Sequence, residues 1–148
     1  KVRLDYHEIQ RVIDLHNRYL AGDAEGVKAD LHGEDLYSAN LVGVNLKGAN
    51  LEGVNLKRSL LCNANLEGAN LNGAFFKHAI LEEINLTNAT LMGANLIGAN
   101  LGKANLRGAD FREADLEDAT LRGAIYDKST RWPSKFDPQA AGAFLVVE

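Results

Sequence analysis

The sequence predicts an all-β solenoid, a chain wound into stacked four-cornered coils, and three observations predict it. A Leu or aromatic residue stands at every fifth position from Leu31 to Tyr126, twenty times without a slip of register. Two residues before each stands a small residue, usually Ala, as in Ala39, Ala49, Ala69 and Ala94. One residue before stands Asn or Asp in most units, as in Asn40, Asn50, Asn95 and Asp110. Two residues after stands Gly in ten units, among them Gly43, Gly68, Gly93 and Gly123. A period this strict specifies architecture before any single residue specifies chemistry.

Five fits neither simple backbone pattern, since a helix repeats at about 3.6 residues and a strand at 2. On a helix each fifth residue would rotate by roughly 140°, so the Leu series would spiral around the cylinder and bury nothing together. A flat strand would throw alternate Leu residues onto opposite faces. A chain that turns a corner every five residues keeps every Leu and Ala inside. Four corners close a coil of twenty residues, and the twenty units then make about five coils, a rod of roughly 24 Å at strand spacing. Leu fills the interior and Ala leaves room for it. Gly supplies backbone freedom at the corner. Asn and Asp favour turns and can stack in ladders, as Asn45, Asn65, Asn85 and Asn105 would in one column.

The units Ala-Asn-Leu-Glu-Gly at 49–53 and 64–68, and Ala-Asp-Leu-Glu-Asp at 114–118, resemble the pentapeptide-repeat family, whose pattern is an A-(D/N)-L-x-x run. The resemblance covers about two-thirds of the chain. It implies a right-handed quadrilateral β-helix with the Leu and Ala positions inward. It implies no single activity, because such proteins share a shape more than a function.

The elements follow in order. Residues 1–28 form the N-terminal cap, whose residues 5–20 read as an amphipathic helix with Tyr6, Ile9, Val12, Ile13, Tyr19 and Leu20 near one face. Asp5 with Glu8 is spaced as a capping box, and Gly22 is placed to stop the helix. A cap is preferred to a membrane-surface helix because its charge is balanced, and such helices are usually basic. Residues 29–126 form the β-helix. Glu34 breaks its pattern by occupying an Ala slot, and a buried lone carboxylate is costly. The first coil is therefore expected to be irregular or open, with Glu34 reaching solvent. The oversized Ile84 should widen its coil locally. Residues 127–148 form a capping tail, since open coil ends need covering. Its segments Thr130-Arg131-Trp132-Pro133, Phe136-Asp137-Pro138 and Ala141-Gly142-Ala143 are similar to the tails of many cyanobacterial pentapeptide-repeat proteins. Trp132, Phe136 and Phe144 are expected to fold over the last coil.

Composition narrows the function. The 148 residues suffice for one structural domain, with 46% apolar but only 7% aromatic residues, so Leu and Ala must build the core. Net charge is −4, and the acidic excess sits on the repeat region, with twelve acids against eight bases. A nucleic-acid binder would want a basic face. Cys62 stands alone, so no internal disulfide forms and nothing argues for an oxidising compartment. No stretch approaches the roughly 18 apolar residues of a membrane span. A cytoplasmic location is expected, although the first residue is Lys1, which leaves room for a removed segment upstream.

No catalytic, cofactor or metal site is expected. His7, His16, His32 and His78 have no metal-type spacing with Cys62 or one another. Ser38, Ser59 and Cys62 lack a nearby base, and the glycines never form a phosphate loop opening a helix.

The informative departures are outward. The position before the central Leu should point out and be polar, yet Leu60, Phe75 and Ile80 are apolar. Leu60 and Ile80 lie twenty apart, so they stack on one face with Val42 and Cys62 near them. Phe75 and Ile97 lie on the face before it. Lys57, Arg58, Lys77 and Glu82 rim the candidate interaction patch of Leu60, Phe75, Ile80, Cys62 and Ile97. The expected role is a non-enzymatic scaffold that binds a protein partner through flat faces or this patch, as a monomer or weak homodimer, with no nucleic acid and no membrane. Two alternatives stand against it. The family resemblance includes a branch that mimics DNA and modulates DNA gyrase, but that mechanism wants a long acidic rod, and here Lys57 stacks on Lys77. An enzyme of unknown type is the other.

Overall fold

The computed structural model describes residues 2–147. Its elements are helix α1 (Tyr6–Leu20) and two short strands, β1 (Ile125–Tyr126) and β2 (Phe144–Leu145). Between α1 and β1 the chain forms a β-helical solenoid held by single-residue parallel bridges rather than long strands. The bridges join residue i to residue i+20, once every five residues, from Asp30↔Asn50 through Asn105↔Ile125. This is the twenty-residue coil that the period demands.

Each unit repeats one set of backbone bonds. Ala49 N–H donates to Leu46 O at 3.0 Å, closing a turn around the corner. Leu46 N–H reaches Asn65 O in the next coil at 2.8 Å, and Asn70 N–H returns to Ala49 O at 3.0 Å. The interior groups are thus paired between coils, as a narrow buried coil requires. The third residue of each turn has positive φ, which favours Gly. At Gly98 (φ 66) space matters too: an added Cβ would meet His78 Nδ1 at 2.5 Å, so the His78 ring rests on this corner.

The core is a column of Leu and Ala with Phe76 and Phe111 among them, all essentially inaccessible. Ile84 is fully buried, and it does not stretch the ladder. Asn85 N–H to Ala64 O is 3.0 Å and Asn105 N–H to Ile84 O is 2.9 Å, the same as elsewhere. The first coil is also regular, contrary to expectation. Asp30 and Asp35 both make the standard bridge, Leu36 N–H bonds Asn55 O at 2.8 Å, and Glu34 is half-buried rather than out in solvent. Backbone pairing with the next coil holds that geometry whatever the side chain.

α1 begins at the expected capping box: Glu8 N–H donates to Asp5 Oδ1 at 2.8 Å and Asp5 N–H to Glu8 Oε1 at 3.2 Å. It ends at Ala21, with Gly22 at φ 81. The buried face differs from the expected one. Ile13 and His16 are buried, with Ile9 and Val12 packed beside them, whereas Tyr6, Tyr19 and Leu20 are exposed. Leu4 N–H bonds Asp35 O and Val27 N–H bonds Leu15 O, which tie the segment on both sides of the helix.

His16 is the polar anchor of α1. Ala29 N–H donates to its Nδ1 at 2.9 Å, so Nε2 carries the proton and donates to Lys47 O at 2.9 Å. Both nitrogens are satisfied only in the neutral ring. Burial, helped by Lys28, lowers the pKa from its usual value despite the Lys47 carbonyl. The unfolded chain therefore binds the proton more readily than the folded one. The stability His16 lends is complete above its unfolded-state pKa of about 6.5 and is lost as pH falls below that value through the lower folded-state pKa. Thermal melts at about pH 7.5 and about pH 5.5 should show a loss of Tm on acidification that is smaller in His16→Gln. An equal acid loss in both proteins would remove His16 as the cause.

The tail continues the ladder with altered offsets. Arg131 bridges Asp110, and β2 pairs with β1 in parallel, Ile125 opposite Phe144 and Tyr126 opposite Leu145. Trp132 stacks on Phe111 with centroids 5.1 Å apart and 5° between planes, on Phe136 at 5.2 Å, and edge-on to Tyr126 at 5.5 Å. Phe144 does not join this cluster. It occupies an outward register and is exposed, while its neighbour Ala143 is buried.

Candidate functional site

The outward position before each central Leu has a structural task that its usual Asn or Asp performs. The side-chain Oδ1 accepts the N–H of the residue two positions on, where the chain enters the corner. Asn65 accepts from Glu67, Asn85 from Thr87 and Asn95 from Ile97, each at 3.0 Å, and Asn55 accepts from Lys57 at 3.1 Å. These Asx turns satisfy an amide that the backbone of the neighbouring coils leaves unpaired; in the Thr90 unit, Asn72 of the preceding coil accepts from Met92 N–H at 3.0 Å instead.

Leu60, Phe75 and Ile80 have no oxygen with which to do this. Among the described residues, the amides of Cys62, Lys77 and Glu82 consequently have no hydrogen-bond acceptor in the protein. The same three departures that place apolar side chains outward also leave three backbone donors without an acceptor in the protein. The sequence carries this signal, but it becomes legible only once the Asx turn is known to serve the residue two positions on.

The structure divides the sequence-predicted residues between two sides of the coil. Leu60 and Ile80 bridge each other in parallel, with Asn40 before them and Asn100 after. Leu60 is 39% exposed and Ile80 half-buried. Cys62, half-buried, lies at the following corner beneath Val42, with Gly43 N–H on Cys62 O at 2.9 Å. Phe75, 48% exposed, lies on the preceding side between Asn55 and Asn95. The corner between the two sides carries Lys57, Arg58, Lys77 and His78, and half-buried Ile97 continues its column below Lys77. The Leu60–Ile80 pair and the single Phe75 thus stand astride a basic corner, with Glu82 on the far edge of the Leu60–Ile80 side. Among the described residues no ion pair engages Lys57, Arg58 or Lys77.

A cavity of about 380 Å³ opens between α1 and the coil, lined by Arg3, Leu4, Tyr6, Ile9 and Val42 among others. It adjoins the Leu60 side through Asn40, which also lines it. Among the described residues no group of three or more His, Cys, Asp or Glu is placed to hold a metal ion, and no helix is long and apolar enough to cross a membrane. His32 pairs with Asp30 at 2.7 Å on the exposed rim of the first coil.

The family model described as pentapeptide repeats matches in eight copies, over residues 27–53, 39–77, 49–88, 76–108 and 89–125. Among solved structures, the chain is similar to the pentapeptide repeat protein Rfr23 from the cyanobacterium Cyanothece 51142, at 38% identity and TM-score 0.57, covering 75% of this chain and 69% of that one. A pentapeptide repeat protein from Nostoc Pcc 7120 is 34% identical over 90% of this chain and 93% of its own, with TM-score 0.29. One from the Arabidopsis thaliana thylakoid lumen is 28% identical over 67% of this chain and 66% of its own, with TM-score 0.40. No curated protein matches the chain.

Proposed function

Because the chain belongs to the pentapeptide-repeat family, we propose that it is a non-enzymatic scaffold that binds a protein partner through the sides of its right-handed, four-sided coil. In this reading residues 1–28 and 127–148 close the two ends, and residues 29–126 present the binding surface. The observation that carries it is exposed Leu60 stacked on half-buried Ile80, with exposed Phe75 nearby, held on a backbone whose units are bonded to the next coil. Apolar side chains clustered at positions filled by Asn or Asp in most units suit a contact site better than a solvated face. DNA mimicry finds less support, because Lys57 stands above Lys77 where a phosphate-like column would need carboxylates.

The test is a Leu60→Lys/Ile80→Lys double variant. Both sites are outward, so stability should stay within about 0.5 kcal/mol per site. Partner capture from the native organism should fall to background. Unchanged capture together with unchanged oligomer mass would sink this surface.

A further inference from the structure

We propose that the basic corner between Phe75 and the Leu60–Ile80 pair receives an acidic segment of a partner protein, whose carboxylates lie against the corner and whose apolar side chains lie to either side. This rests on the scaffold reading above and adds the chemistry of the partner.

Three features converge on that chemistry. The Leu60–Ile80 pair on one side and Phe75 on the other supply apolar contacts for leucine-type residues. The amides of Cys62, Lys77 and Glu82, each two residues after an apolar side chain that cannot form the Asx turn, have no acceptor within the protein and are available to a partner's oxygens. Lys57, Arg58 and Lys77 supply unpaired positive charge between the two sides. A partner that satisfies all three offers oxygen acceptors, negative charge and apolar bulk together, which a segment mixing Glu or Asp with Leu does. A long polyanion such as nucleic acid would meet the amides and cations but leave the apolar side chains uncovered. The charged edge would orient and steer the partner, and the apolar side chains would supply most of the affinity.

Fluorescence anisotropy tests this with a short labelled peptide of alternating glutamate and leucine, against a lysine–leucine peptide and a glutamate–serine peptide. The glutamate–leucine probe should bind most tightly and weaken as salt is raised. Lys57→Glu/Lys77→Glu should weaken it at least about tenfold. A Leu60→Asn/Phe75→Asn/Ile80→Asn variant restores the three Asx acceptors, so it should fold at least as well as the parent protein and yet lose the probe.

Equal binding of the lysine–leucine peptide would overturn the proposal, as would no binding of the glutamate–leucine probe or tighter binding to phosphatidylserine vesicles. A dimer in sedimentation that Leu60→Asn dissociates would also overturn it, assigning the surface to a second copy. If the lysine double variant loses its native partner while the parent protein ignores the glutamate–leucine probe, the partner chemistry fails and the scaffold reading stands. If capture is unchanged, the scaffold reading itself fails.

Discussion

An Ala79→Glu chain is expected not to fold. Ala79 is wholly buried; its N–H donates to Phe76 O at 2.9 Å and its carbonyl accepts from Asn100 N–H at 3.0 Å. Both backbone groups are committed, so a carboxylate placed there finds no donor. The same column shows what polarity this position tolerates. Ser59, twenty residues earlier, is fully buried, but its hydroxyl donates to Leu56 O at 2.6 Å and is satisfied within its own turn. A glutamate is longer, charged and unpartnered. An uncompensated buried charge costs several kcal/mol, and a domain has only about 5–15 kcal/mol in total. Glu34 occupies the equivalent slot of its own unit, but it sits in the first coil and is only half-buried. Far-UV circular dichroism and a thermal melt decide the matter. A cooperative transition within a few degrees of the parent protein would show that the interior is looser than its burial implies.

Phe76→Ala should cost about 3–5 kcal/mol, the usual range for emptying a buried aromatic site. Phe76 is inaccessible and lies in the column of Leu56 and Leu96, in a region braced by bonds to both adjacent coils. The backbone cannot collapse into the space, since doing so would break the bond from Phe76 N–H to Asn95 O at 2.7 Å. Phe76→Leu should cost less than about 1.5 kcal/mol, because Leu fills the same position in nearly every other unit. Urea denaturation of the two variants measures the difference, and comparable losses would mean that the site relaxes around a cavity.

The end segments show where sequence reasoning reaches and where it stops. The α1 capping box was legible because its partners lie three residues apart, and local bonds follow local spacing. The buried face of α1 was not, because burial depends on where the coil edge lies. His16 reads as a polar residue and is the helix's deepest anchor, since Ala29 and Lys47 approach it only in the folded chain. Phe144 reads as a covering aromatic and is exposed, because β2 pairs with β1 in a register that places Ala143 inside. The candidate surface was half legible. That Leu60, Phe75 and Ile80 break an outward pattern is visible in the letters. That they leave the amides of Cys62, Lys77 and Glu82 open, and that Phe75 stands across a basic corner from the other two, required the folded coil.

The sequence by itself determined the period, the inward set of Leu and Ala and the twenty-residue coil, because only one winding keeps a five-residue apolar repeat on a single side. Tertiary structure alone decided the backbone at the corners. Ten corners have Gly, but Ser38, Arg58, Asn63, His78, Glu83, Asn88, Lys103, Glu113 and Asp118 hold the same positive φ, between 57° and 62°. Left alone, such residues avoid this region at a cost of about 1–2 kcal/mol each. They adopt it here because the coils before and after are already paired, and any other corner would forfeit those interlocking bonds.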